Sequence, residues 1–230
     1  MTGVTIVTPT GGRPESLELC ELWISRQTYP YEVQWLCSDD CLPRSKFTGF
    51  AFQEVINPPW VWKPGQNTQS KNLLLLLEKV KYDKILFIED DEWYSPKYID
   101  AMMPLLDEYE VAGQGMARYY NIKYRSYSIY NNKQHACLGR TGIRSSMIPR
   151  LIRILNKNLQ FIDIELWKEQ VRKLVFADRV LSIGMKGMPG RPGVGIGHQR
   201  IPTAIPDPDY RVLREWIGSD SVYYEQLNVK

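Results

Sequence analysis

The chain has 230 residues, 43% of them hydrophobic, and a formal net charge of +3. That length can bury one sizeable core. No apolar run is long enough to span a bilayer and no N-terminal signal pattern is present, so we expect a soluble, cytoplasmic protein without a transmembrane segment. The four cysteines form no CxxC pair and are too few to indicate a disulfide scaffold.

Charge is distributed unevenly along the chain. Residues 1–112 carry 10 Lys and Arg against 17 Asp and Glu, residues 113–200 carry 16 against 4, and residues 201–230 carry 3 against 5. An acidic first part followed by a basic middle part predicts two functional halves with different partners.

The first part of the chain alternates strands and helices. The β-branched run Val4–Thr8 predicts a buried strand that ends at the following proline, and Pro14 suits the first position of a helix. A second strand over residues 32–37 ends close to Asp39 and Asp40. Strand, helix and strand at this spacing are typical of a parallel βαβ unit.

Two further helices are predicted in this part. A loop rich in Pro and Trp, residues 57–65, leads to a helix capped by Asn67 or Thr68, whose Leu73–Leu77 run is apolar on every side and therefore buried. After the next strand, Ser and Pro at the N-cap and first positions predict a helix over residues 95–109.

Four consecutive acids, Glu89, Asp90, Asp91 and Glu92, follow the apolar run Ile85–Ile88. Such a run is typical of a strand buried on both faces, and ligands bind at the carboxyl ends of strands in open α/β sheets. Carboxylates packed this closely repel each other unless a cation or a proton intervenes, which predicts a site for a hard divalent metal. The alternative is a solvated acidic turn.

The second part of the chain differs from the first in composition and in its predicted elements. A strand is predicted over residues 111–116, a tyrosine- and arginine-rich β-ribbon over 123–130, and a strand with a turn over 135–142. A helix follows over residues 147–155.

Asp163 then precedes a predicted helix over residues 165–176, which it could cap. A strand over residues 180–183 leads to a glycine-rich loop, residues 184–198, that lacks the βαβ context of a dinucleotide-binding loop. A last helix begins near Asp207.

Several of these stretches resemble the GT-A glycosyltransferases, particularly the family 2-like nucleotide-sugar transferases. The resemblance lies in VTIVTPTGGRP (4–14), the strand ending at Asp39, NTQSKN (67–72), ILFIEDDEW (85–93) and FIDIELW (161–167). The first four occur in the family's order and spacing over about half of the chain. The sequence departs from the family by a Glu at position 89, where Asp is commoner, and by glycines at positions 11 and 12, where bulkier residues are usual.

The resemblance implies a single α/β domain whose mixed, mostly parallel sheet is flanked by helices. Residues 1–112 would bind the donor, residues 113–200 would bind the acceptor and hold the catalytic groups, and residues 201–230 would form a C-terminal helix and tail. The implied reaction is a transfer, dependent on Mn²⁺ or Mg²⁺, from a nucleoside-diphosphate sugar, UDP-sugar first, to an acceptor hydroxyl.

The resemblance also implies three groups of site residues. The metal ligands are Glu89, Asp91 and His198, although a lone histidine is often only a polar surface residue. The general base is Asp163, with Glu165 in reserve. The donor-binding residues are Thr8, Pro9, Thr10, Arg13, Asp39, Asp40, Asn67, Lys71, Asp90, Lys186 and Arg191.

The acceptor is predicted from the basic middle part, which also holds tyrosines at positions 119, 120, 124, 127 and 130. Basic side chains beside stackable rings suit a nucleic-acid strand, so a polyanionic acceptor such as a hydroxymethylated base in phage-type DNA is the most specific prediction. The alternative is a basic surface that only attracts the anionic donor. A saccharide or lipid-linked acceptor, a nucleotidyltransferase and a non-catalytic nucleotide-sugar or nucleic-acid binding module stay open.

Overall fold

The computed structural model describes residues 3–193 and 195–227, and of Ile196 the backbone alone. Within these residues the strands are β1 (Val4–Thr10), β2 (Val33–Asp39), β3 (Gln53–Ile56), β4 (Lys84–Phe87), β5 (Glu92–Tyr94), β6 (Val111–Gln114), β7 (Met116–Asn121), β8 (Ser126–Asn131), β9 (Thr141–Arg144), β10 (Lys173–Phe176), β11 (Ser182–Lys186) and β12 (Ile205–Pro206). The α-helices are α1 (Pro14–Ser25), α2 (Gln69–Leu77), α3 (Tyr98–Met102), α4 (Leu105–Glu108), α5 (Ile148–Leu155), α6 (Ile162–Leu166), α7 (Arg211–Ile217) and α8 (Ser221–Glu225). Val194 of the predicted glycine-rich loop and residues 228–230 of the predicted tail lie outside the described residues.

The central sheet has the strand order β10-β6-β9-β4-β1-β2-β3. Strand β9 runs antiparallel to β4 and β6, and the remaining neighbours pair in parallel. The predicted α/β fold with a mixed, mostly parallel sheet flanked by helices in a single domain is confirmed.

The strand register brings the predicted polar segments to one edge of this sheet. Thr10 at the end of β1 pairs with Asp39 at the end of β2, and Val7 pairs with Phe87 at the end of β4. Because these strands are parallel, the acids that follow β4 lie at the same edge as Thr10 and Asp39.

Both faces of the sheet are covered by apolar side chains. Along β1, Val4 and Ile6 pack into one hydrophobic cluster and Val7 into the other, as the two-residue period of a strand requires. Helix α1 contributes Trp23 to the first cluster, and α2 contributes Leu73 to the second.

A second sheet, with the order β12-β8-β7-β11-β5, lies beside the first. The predicted strand over residues 111–116 is divided between β6 in one sheet and β7 in the other. Gly115 lies at the division, where a Cβ atom would be 2.1 Å from the carbonyl oxygen of Asn132. The short strands β3, β5 and β12 were not predicted, since two to four residues carry too little periodicity to identify a strand.

Two predicted helices were wrong. The helix over residues 95–109 is two short helices, α3 and α4, because Pro104 between them lacks the N–H that a continuous helix needs. The helix over residues 165–176 is also absent. Helix α6 ends at Leu166, and residues 173–176 form β10, which pairs in parallel with β6. Asp163 therefore caps no helix over that range.

The C-terminal segment packs back on the fold. The Asp207 carboxylate accepts hydrogen bonds from the N–H groups of Val212 and Leu213 in the first turn of α7 and from the Tyr120 hydroxyl. In α8, Tyr224 stacks on Trp23 and accepts its indole N–H at 2.9 Å.

No helix in the described part of the chain is long and apolar enough to cross a bilayer. All four cysteines are free.

We predict that Asp207→Ala lowers the free energy of unfolding by about 2 kcal/mol, because it removes a helix cap and the shorter of the two hydrogen bonds that the buried Tyr120 hydroxyl donates to residue 207. Urea denaturation measures this. Asp209→Ala, at an exposed aspartate on the same turn, is the matched control and should change little. Equal stability of the two variants would show that the Asp207 contacts contribute nothing.

Candidate active site

A cavity of about 430 Å³ opens at the carboxyl edge of the central sheet. Ten of the sixteen predicted site residues line it, from the ends of β1, β4 and β11, the start of α2, α6 and the glycine-rich loop. They are Pro9, Thr10, Arg13, Asn67, Glu89, Asp91, Asp163, Lys186, Arg191 and His198. The fold therefore brings together residues that are far apart in the sequence.

Asp91 is surrounded by basic side chains. Its Oδ2 atom lies 3.1 Å from Lys186 Nζ, 3.1 Å from His198 Nε2 and 3.3 Å from Arg13 Nη1. Burial alone would raise the pKa of Asp91, but Lys186, Arg13 and the hydrogen bond from His198 hold it well below its usual range. Asp91 is therefore a carboxylate at neutral pH.

Lys186 keeps its charge for the reciprocal reason. Burial alone would lower the pKa of Lys186, but the charges of Asp91, Glu92 and Glu89 raise it. An ammonium group consequently sits among the acids at neutral pH.

Asp90 positions Arg13 and does not line the cavity. Its carboxylate lies 2.5 Å from Arg13 Nη2 and accepts a 2.6 Å hydrogen bond from the Thr10 hydroxyl. The side chain of Asp90 has no exposed surface. Because Arg13 and Thr10 do line the cavity, Asp90 acts on it through them.

Glu92 lines the cavity and was not predicted as a site residue. Its Oε2 atom accepts two hydrogen bonds from Arg140, at 3.1 and 3.0 Å, and its Oε1 atom lies 3.1 Å from Lys186 Nζ. Neither side chain of the Arg140–Glu92 pair is exposed, and Tyr119 covers the guanidinium at 4.7 Å. The acidic run indicates Glu92, but nothing local in the sequence identifies a partner 48 residues away.

Glu89 is the exception among the four acids, since within residues 3–193 and 195–227 it has no ion-pair partner. Its Oε1 atom accepts a 2.9 Å hydrogen bond from the Gln69 amide. Burial, together with the charge of Asp91, raises the pKa of Glu89 to about 8.

The carboxylates form a group that could hold a metal ion. Oxygen atoms of Glu89, Asp91 and Glu92 lie within 4.8 Å of one another. Oxygen ligands of this kind suit a hard divalent ion, and Glu89 is the member that has no ion-pair partner among the described residues. The predicted ligands Glu89 and Asp91 therefore fit a divalent ion, and His198 Nε2 adjoins them at 3.1 Å from Asp91.

Asp40 binds the glycine-rich loop and does not line the cavity. Its Oδ1 atom lies 2.6 Å from Arg191 Nη1, and its Oδ2 atom accepts hydrogen bonds from the Thr68 hydroxyl and, at 2.9 Å, from the Asn72 amide. The Arg191 guanidinium also lies 4.5 Å from the ring centroid of Trp62. Asp40 therefore fixes Arg191, which lines the cavity.

The glycines at positions 11 and 12 permit this contact. A Cβ atom at Gly11 would lie 2.5 Å from Asp40 Oδ1, and one at Gly12 would lie 2.9 Å from Cys41 Sγ. The carbonyl of Gly12 accepts the N–H of Arg191 at 2.8 Å. Bulkier residues here would collide with the elements that position Arg191, which explains the departure from the family pattern.

The side chains of two predicted donor-binding residues, Thr8 and Asp39, form hydrogen bonds outside the cavity. The Thr8 hydroxyl accepts the indole N–H of Trp35 at 2.9 Å. The Asp39 carboxylate accepts the backbone N–H groups of Cys41 and Ser45 at 3.0 and 2.5 Å, and so stabilises the segment that follows β2. Neither residue lines the cavity.

On α6, Asp163 lines the cavity and Glu165 does not. Burial raises the pKa of Asp163, and hydrogen bonding by the backbone amide of Ile164 offsets part of this rise. The Glu165 carboxylate instead pairs with Lys168 at 2.6 Å. Lys71, on α2, is exposed and outside the cavity wall.

The cavity wall also contains residues outside the sixteen predicted site residues, among them Asn132, Gln160 and Phe161, together with Tyr119 and Tyr130 from the tyrosines on which the acceptor prediction depends. The alternating pattern of the β-ribbon could have indicated that Tyr130 lies on one face with Ser128. No sequence signal distinguishes a loop amide that faces a cavity from one that faces solvent.

Comparisons with known proteins add to this geometry. No family model and no curated protein matches the chain. Among solved structures, S. aureus TarS 1-349 is similar at a TM-score of 0.56 and 13% identity over 79% of this chain and 60% of that one. The same protein in complex with UDP-GlcNAc gives 0.55 and 14% over 86% and 61%.

A third similar structure is the mannosyltransferase PcManGT from Pyrobaculum calidifontis in complex with GDP-Man and Mn²⁺, at a TM-score of 0.50 and 10% identity over 79% of this chain and 56% of that one. The chain thus matches about three fifths of the length of these structures. Identities this low establish the fold alone, and the GT-A-type fold expected from the sequence is confirmed.

Because Glu92 forms a buried pair with Arg140, we expect substitutions of Glu92 and of Glu89 to change the free energy of unfolding by different amounts. Glu92→Gln should lower the free energy of unfolding by roughly 3 kcal/mol, because it leaves Arg140 buried without its counter-charge. Glu89→Gln should change it by less than about 1 kcal/mol at pH 7, since a carboxyl with a pKa near 8 is mostly protonated there. Urea denaturation in EDTA measures both. Equal losses in the two variants would contradict this division of roles.

Proposed function

We propose that the chain is a glycosyltransferase that moves a sugar from a nucleoside-diphosphate sugar, UDP-sugar first, to an acceptor hydroxyl with the help of a divalent metal. The observation that carries this proposal is the grouping of Glu89, Asp91 and His198 with Lys186 in one cavity at the carboxyl edge of this fold. Similar folds in complex with UDP-GlcNAc, and with GDP-Man and Mn²⁺, support the same class of donor.

Residues 1–112 are proposed to supply the donor side of the cavity, and residues 113–200 the acceptor side and the base. The ends of β1 and β4 and the start of α2 belong to the first group, and α6 and the β7–β8 ribbon to the second. The two groups meet around one cavity, so a donor and an acceptor bound to them would be adjacent.

Glu89 and Asp91 are proposed to hold the metal ion, with His198 beside them. A bound divalent ion supplies Lewis-acid stabilisation to the negative charge that grows on the diphosphate as the sugar departs. Lys186 and Arg13 both contact Asp91 and keep positive charge at that position. Arg191, fixed by Asp40, adds a third cation to the cavity wall.

Asp163 is proposed as the general base. It would accept the proton of the acceptor hydroxyl while the hydroxyl oxygen bonds to the anomeric carbon and the bond from that carbon to the diphosphate oxygen breaks. The electron pair of the broken bond leaves with the nucleoside diphosphate. The rise in pKa that burial causes makes Asp163 a stronger base than an exposed aspartate.

The predicted DNA acceptor depended on the positive charge of the middle segment. In the structure, Arg150 and Arg153 pair with Glu169 at 3.3 and 2.9 Å, and Arg172 lies 5.6 Å from the ring of Tyr109. None of these residues lines the cavity. A hydroxymethylated base therefore stays a prediction from charge, without support from the geometry of the site.

A donor assay tests the proposed function. We expect a panel of nucleotide sugars incubated with Mn²⁺ to yield a released nucleoside diphosphate, with a UDP-sugar giving the fastest release. Pyrophosphate formed from nucleoside triphosphates would show a nucleotidyltransferase instead. Binding without any turnover would show a non-catalytic module.

Asp91→Asn should abolish turnover while the fold is retained, because the variant loses a charge that both the metal and Lys186 need. His198→Ala should weaken the dependence of nucleotide binding on Mn²⁺. Turnover rates and Mn²⁺ titrations measure these effects, and circular dichroism checks the fold. Full activity in EDTA would contradict the metal proposal.

Asp163→Asn should lower kcat by ~10² to 10⁴ with donor affinity preserved, since a positioned base contributes that much. Glu165→Gln, two residues away on the same helix and outside the cavity, is the matched control and should retain nearly normal kcat. Steady-state kinetics distinguish the two. If Asp163→Asn only melts at a lower temperature and turns over normally, Asp163 has a structural role.

A further inference from the structure

Part of the cavity wall has a different chemistry from the acid cluster. It consists of Tyr130 from the β7–β8 ribbon, Asn132, and Gln160 with Phe161 just before α6. These are aromatic rings and amides without charge. Asp163, the proposed base, follows Phe161 by two residues and lines the same cavity.

The aromatic rings in this wall are open to solvent. Tyr130 is 42% exposed and Phe161 41% exposed, although large apolar groups are normally buried. Tyr130 touches Tyr119 only edge-on, with ring centroids 5.9 Å apart and planes at 65°. A face of the Tyr130 ring therefore remains available to a ligand.

Polar groups beside these rings are unused. Across the described residues, the side-chain amides of Asn132 and Gln160 and the hydroxyl of Tyr130 make no hydrogen bond to protein. Each amide offers two donors and an acceptor, and the hydroxyl offers both functions. A ligand with many hydroxyls could be bound by all three groups, since each of its hydroxyls can donate and accept.

The cations of the cavity wall are already paired. Arg13 contacts Asp90 and Asp91, and Lys186 contacts Asp91 and Glu92. Arg191 pairs with Asp40, and the imidazole of His198 contacts Asp91. Among the described residues of this wall, a polyanionic acceptor would therefore meet no unpaired Lys or Arg, although phosphates draw most of their affinity from Lys and Arg.

We propose that this part of the cavity wall is an acceptor subsite for a neutral saccharide. A sugar ring would stack its C–H face on Tyr130 and Phe161, while its hydroxyls bond to the amides of Asn132 and Gln160. One hydroxyl would then lie within reach of Asp163. This inference rests on the proposed glycosyltransferase function and adds the class of acceptor to it.

The test compares acceptors with the wild-type protein, Mn²⁺ and the donor found in the panel assay. The probes are neutral di- to tetrasaccharides containing glucose, mannose or N-acetylglucosamine, and, as the polyanionic alternative, hydroxymethylated DNA. We expect at least one neutral saccharide to stimulate nucleoside diphosphate release and to become glycosylated. Glycosylation of the DNA alone, suppressed by salt, would overturn the subsite.

Variants then locate the subsite. Tyr130→Ala and Phe161→Ala should each raise the acceptor KM roughly tenfold, with kcat and donor KM close to wild type, because they remove a stacking surface and leave the residues of the acid cluster in place. Tyr130→Phe should retain most of the acceptor affinity. Tyr124→Ala is the matched control, since Tyr124 is 41% exposed near the same ribbon but outside the cavity.

An unchanged acceptor KM in both alanine variants would overturn the subsite while leaving the proposed function standing. Failure of the proposed function has a different result, since no donor would then release its nucleotide, with or without acceptor. That result would overturn both proposals.

Discussion

Charge compensation at the carboxyl edge of the sheet is the constraint on which the rest of this structure depends. Asp90, Asp91 and Glu92 are buried together, and burying charges without partners costs several kcal/mol each. The partners come from three distant segments, as Arg13 follows β1, Arg140 precedes β9 and Lys186 ends β11. The acid segment therefore joins both sheets, and its own connection leads from β4 in one sheet to β5 in the other.

The glycine-rich loop is held at the cavity by the same kind of interaction. Arg191 bonds to Asp40 through its side chain and to Gly12 through its backbone. Glycine at position 190 allows the approach, since a Cβ atom there would lie 2.3 Å from the Gly12 carbonyl oxygen. The first and the last parts of the proposed catalytic unit are thus in direct contact.

The sequence predicted those parts of the fold that have local causes. The buried run before Glu89, the helix start at Pro14 and the helix over residues 147–155 follow from composition and spacing. Strand β10 could not be predicted, because its residues form a strand only when β6 is available to pair with them. The same limit applies to the site, where the acidic run indicated the position but the pairing with Arg140 depends on tertiary structure. The net charge of residues 113–200 can be counted from the sequence, but the positions of the basic side chains cannot. Ion pairs and aromatic contacts hold several of them away from the cavity.

The most direct test of the central claim, that the acid cluster and its cations form a metal-assisted nucleoside-diphosphate site, is a calorimetric titration of UDP into the wild-type protein with Mn²⁺ and with EDTA. Our account predicts that UDP binds at least about tenfold more tightly with Mn²⁺, and by linkage that UDP tightens the binding of Mn²⁺ by the same factor. Equal UDP affinity in Mn²⁺ and in EDTA would contradict it.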